Sequence, residues 1–98
     1  MNKRDFIGKV VISAKTKNRF VLTKIHATHI NIVSEELDQY GTRSGHTFET
    51  DHGDPFTSGA LYFEDAALTE RFKKEYKEYC LSEEGRSEAW MDWMLTGN

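Results

Sequence analysis

Two hydrophobic periods divide this chain. Up to Phe63, apolar and polar side chains alternate with a spacing of two, as in strands that turn one face to a core. Beyond Asp65 the apolar positions recur every three or four residues, which is helical spacing. The strand pattern is strongest over residues 18–33. Phe20 and Leu22 alternate with Val21 and Thr23, and Ile30 and Ile32 alternate with His29 and Asn31. Val21, Ile25, Ile30, Ile32 and Val33 are β-branched and suit a pleated surface. Two adjacent strands are expected here, linked between Ile25 and His29.

The rest of the chain extends this pattern. A first strand is expected over residues 6–14, with Phe6, Gly8, Val10 and Ile12 on one face and Ile7 and Val11 on the other. Residues 15–18 make a turn, with Asn18 as the residue that tolerates left-handed backbone angles. The polar, glycine-bracketed stretch 34–45 is a loop. A fourth strand spans residues 45–50 and a fifth residues 57–63. The turn signal Asp51-His52-Gly53-Asp54-Pro55 between them predicts that they form a hairpin. Asp65 is a good N-cap for a helix to about Leu81, whose stripe is Leu68, Phe72, Tyr76, Tyr79 and Cys80. Residues 82–86 break or bend the chain. A shorter helix follows over residues 87–95, with Gly97 past its end as a stop. Strands first and helices last predict an α+β fold. It consists of an antiparallel sheet of about five strands in meander and hairpin order, then one long amphipathic helix and a short C-terminal helix. Residues 1–98 form one domain.

Composition narrows the function classes. Twelve per cent aromatic and 38% hydrophobic residues support a packed core and exclude global disorder. No apolar run approaches the ~20 residues of a membrane helix, and no apolar stretch of signal-peptide length follows the charged start. The single cysteine, Cys80, cannot form an internal disulfide, so a cytoplasmic setting is expected. The net charge of −3 conceals a split. Lys3, Arg4, Lys9, Lys15, Lys17, Arg19 and Lys24 make residues 1–33 basic, and residues 34–98 carry the acidic excess.

Motifs for catalysis are missing. There is no phosphate-binding glycine loop, no nucleophile elbow and no calcium loop pattern. Cys80 lies on an apolar helical stripe, where a thiol is held protonated. His26 and His29 are three apart, so on one strand they would face opposite ways and could converge only across a turn. His46 and His52, with Asp51 and Asp54, offer ligand types without a recognised metal spacing. A metal-dependent enzyme built on those four is the least favoured reading. No cofactor and no metal site are implied.

Two binding readings remain. Lys15, Lys17, Arg19 and Lys24 surround Phe20 and could follow a phosphate backbone, although a pI of 5.8 is low for a nucleic-acid module. The better-supported reading is a non-enzymatic protein-binding module. Trp90, Trp93 and Met94 share a helical face that Met91 and Leu95 broaden, with Glu83, Glu84, Glu88 and Asp92 as a polar rim. Tryptophan and methionine are enriched at interface anchors. That face is expected to dock on this chain's own sheet, on a second copy in a homodimer, or on another protein. By composition alone the chain is similar to accessory and inhibitor proteins of phages and mobile elements, whose acidic patches can imitate nucleic-acid phosphates.

Overall fold

The computed structural model describes residues 1–96, so the expected stop at Gly97 lies outside the described residues. A 3-10 turn at Lys3–Asp5 precedes strands β1 (Val10–Ser13), β2 (Arg19–Ile25), β3 (His29–Ser34), β4 (Gly45–Glu49) and β5 (Leu61–Phe63). Helices α1 (Ala66–Leu81) and α2 (Glu83–Thr96) follow, which gives the α+β architecture. Among the described residues no helix is long and apolar enough to cross a membrane.

The five strands form one antiparallel sheet in the order β4-β3-β2-β1-β5. The expected hairpin of the fourth and fifth strands does not form. β5 pairs with β1 at the opposite edge, with Val11 opposite Phe63, so the chain crosses the sheet between Glu49 and Leu61. The reason lies in residues 54–56. Asp54 is buried and accepts from the Phe56 and Thr57 amides and the Thr57 hydroxyl, which winds the chain into a compact turn. That turn drives Phe56 into the core, stacked on Phe63 at 4.8 Å. Burying a phenylalanine contributes more than a short ladder between residues 50 and 58.

Other boundaries move for similar reasons. β1 starts at Val10 rather than Phe6, because Phe6 sits at the end of the 3-10 turn and is fully buried against Phe72, ring edge to face at 5.3 Å. In the turn after β1 it is Lys17, not Asn18, that takes the left-handed angle, at φ 64°. The helix expected from Ser87 begins four residues earlier. Ser82 accepts the Gly85 amide on its hydroxyl and so caps α2 directly after α1 ends.

The core lies between one sheet face and α1. Val11, Leu22, Ile30, Ile32, Leu61 and Phe63 come from the sheet, and Phe72 and Tyr76 from α1. Asp65 caps α1 as expected, accepting the Ala67 amide. On the other sheet face Val10, Ile12, Val21 and Val33 remain half-buried.

Candidate functional site

α2 does not lie on the sheet. It crosses the tip of the β2–β3 hairpin and is held there by polar side chains. Glu88 is the hub. Its carboxylate accepts the Ala27 amide at 2.7 Å, the Tyr79 hydroxyl at 2.7 Å and the Lys3 ammonium at 3.1 Å. Burial opposes ionisation of Glu88, but the bonds from Tyr79, Ala27 and Lys3 outweigh it and hold the carboxyl below its ordinary value. Burial likewise opposes the charge on Lys3, and its contacts with Tyr79 and Glu88 overcome that and raise it. The ammonium also stands 4.7 Å over the Tyr79 ring. One turn further along α2, Asp92 accepts the Thr28 hydroxyl at 2.8 Å.

The opposite side of α2 is apolar and faces solvent. Trp90 is 59% exposed, Met91 62%, Trp93 52% and Met94 59%. The two indoles stack on each other at 5.3 Å. Docking on the chain's own sheet, the first of the three expected destinations, therefore does not occur. Glu83, Arg86, Ser87, Trp90 and Met91 line a shallow cavity of about 510 Å³, so Glu83 does border the tryptophan face. Glu84 is exposed on the same helix, whereas Glu88 points into the molecule.

The basic hairpin keeps less charge than its sequence suggests. Arg19 is paired with Glu35 at 3.0 Å and with Glu64, and the hydrogen bonds that it donates to these carboxylates raise its pKa further. Lys17 lies 5.5 Å over the Tyr62 ring. Lys15 and Lys24 are exposed. Beside this turn, on the core side of the sheet and beyond the reach of α1, is an apolar groove of about 760 Å³. Phe20, Ile32, Phe48 and Leu61 line it, and Lys15 and His46 flank it.

The four ligand types of the enzyme reading are not brought together. His52 is 95% exposed and stands 3.5 Å from Asp51. Asp54 is committed to its turn. His46 packs edge-on against Phe20 at 5.4 Å, on the β4 edge. His26 and His29 do converge, because a two-residue turn places them opposite each other, with the His26 amide donating to the His29 carbonyl at 2.9 Å. Their rings stack at 4.8 Å. Sequence spacing signalled that Glu88 and Asp92 share a helix face, being four apart. It carried no signal of what that face meets. Compared with protein-family models, with curated proteins and with solved structures, this chain matches none.

Proposed function

We propose that this chain is a non-enzymatic protein-binding module whose contact surface is the outer face of α2. One observation carries the reading: Trp90, Met91, Trp93 and Met94 are each more than half exposed on a helix whose polar side is anchored to the body of the protein. Two stacked indoles and two flexible thioethers form a preorganised apolar patch of the type that supplies interface anchors. The fitting partner surface is an apolar groove with a basic rim, since Glu83 and Glu84 stand at the start of the helix. A second copy of this chain offers such a groove, lined by Phe20, Ile32 and Phe48 and flanked by Lys15.

Light scattering over a range of protein concentrations tests the second copy as partner. The expected result is a mass that rises toward two chains and returns to one in Trp90→Lys and in Lys15→Glu. If the mass stays at one chain throughout, self-docking is refuted. The wild type and the Trp90→Lys, Met94→Lys double variant are then compared as untagged baits. A protein retained by the first and lost by the second supports the reading. Retention by both removes α2 as the contact surface.

A further inference from the structure

The tip of the β2–β3 hairpin gathers ligand-type side chains that lie away from the exposed tryptophan face of α2. We infer that His26, His29 and Asp92 form a binding site for one divalent transition-metal ion of the zinc class, with a fourth coordination position left to water.

The geometry is the main argument. One ligand atom from each residue lies within 4.8 Å of the other two. The three side chains already point at a common atom. Thr28 Oγ1 is 3.1 Å from His26 Nδ1, 2.9 Å from His29 Nδ1 and 2.8 Å from Asp92 Oδ2. A tetrahedral zinc ion holds nitrogen and oxygen ligands at ~2.0–2.2 Å, which sets them roughly 3.4 Å apart. Thr28 Oγ1 now holds the centre of the three ligand atoms, so a bound ion would replace that hydroxyl as their common partner and draw them closer together.

The chemistry fits the same ions. Two imidazoles and one carboxylate form a donor set suited to zinc and its neighbours, and a poor one for magnesium or calcium, which take all-oxygen sites. Glu88 stands 3.7 Å from His26 Nδ1 and is fixed by the Ala27 amide, a second carboxylate beside the site. The ion would join residues from the hairpin tip and from α2, elements more than sixty positions apart in sequence.

The experiment uses the full chain without a histidine tag, stripped with chelator and titrated with zinc chloride by calorimetry. Cobalt(II) absorption reports the coordination number. One zinc per chain is expected. His29→Gln and Asp92→Asn, each checked for folding by circular dichroism, should weaken binding by more than the roughly 10–100-fold typical of an outer-shell loss. His52→Gln should bind as the wild type does, because His52 lies elsewhere and is exposed. Trp90→Lys should also bind zinc normally, which separates this site from the tryptophan face. A wild-type stoichiometry well below one overturns the inference without reference to any variant. So does an affinity that His29→Gln and Asp92→Asn leave unchanged.

Discussion

Removing the Glu88 carboxylate should detach α2 before the rest of the protein unfolds. Two short bonds from neutral donors, the Ala27 amide and the Tyr79 hydroxyl, end on this group, both at 2.7 Å. A hydrogen bond to a charged group contributes roughly 1.5–3 kcal/mol when buried. The Glu88 side chain keeps 24% of its exposure, so the low end applies. The Lys3 pair is 31% exposed on its side and adds less than about 1 kcal/mol. Glu88→Ala should therefore cost about 3–4 kcal/mol, and Glu88→Gln, which keeps one acceptor, about 1–2 kcal/mol. With an m-value near 1.5 kcal/mol/M for the whole fold, a loss of that size lowers the alanine variant's urea midpoint by roughly 2–3 M. The chain's two tryptophans, Trp90 and Trp93, both stand on α2, so indole fluorescence follows this helix while far-ultraviolet dichroism follows the whole fold. In the variants the fluorescence transition should precede the dichroism transition. Acid gives a second readout in chelator-treated protein. The folded carboxyl lies below its ordinary 4.5, so its contribution is complete above that pH and is lost as the pH falls through the folded value. Glu88→Gln should lack that loss. A cost under about 0.5 kcal/mol with coincident transitions would refute the anchoring role.

Two further substitutions probe the packing that positions α2. Phe72 is fully buried among Phe6, Phe56, Phe63 and Tyr76, with ring centroids 4.4–5.6 Å away, so Phe72→Ala should cost about 3–5 kcal/mol in denaturant unfolding. A cost near 1 kcal/mol would mean that the ring cluster is not the core. Gly85→Ala sets two effects against each other. Alanine gains about 1 kcal/mol of helix propensity, but its Cβ would lie 1.9 Å from the Tyr79 carbonyl oxygen and 3.0 Å from Cys80 Cα. These are backbone atoms that cannot swing away, so the clash should win and thermal melting should show a net loss of at least ~1–3 kcal/mol. A more stable Gly85→Ala protein would show that α1 and α2 do not approach so closely.

The fold class and α1 were legible because each depends on local pattern. Alternation in β2 and β3 survives in the structure apart from a register shift between Leu22 and Lys24, and the stripe from Leu68 to Cys80 and the Asp65 cap survive as well. What failed was long-range pairing. The turn signal at residues 51–55 is genuine, yet a turn does not specify which strand edge the chain then joins. Phe56 decided that through burial, and nothing in its local sequence distinguishes it from a loop aromatic. The candidate site failed in the same way. Tryptophan and methionine spacing placed Trp90, Trp93 and Met94 on one face, but spacing could not say that the face would turn outward. The convergence of Asp92 on His26 and His29 depends on a contact across more than sixty residues.

α2 also inverts the usual logic of a surface helix. Such a helix ordinarily buries an apolar stripe and shows charge to water. Here the inward contacts are Glu88 to the Ala27 amide and Asp92 to the Thr28 hydroxyl, while Trp90, Met91, Trp93 and Met94 are left more than half exposed. These hydrogen bonds hold the helix in place, but they bury none of the apolar surface that it leaves in water. Each large side chain left out forgoes roughly 1.5–3 kcal/mol of burial. Four such side chains grouped on one helix form a contiguous apolar patch, which monomeric soluble proteins rarely leave uncovered. The arrangement gains that burial only when another surface covers the patch. This is the physical ground for reading α2 as a contact element, and it makes the solution mass of the wild type against Trp90→Lys the decisive comparison.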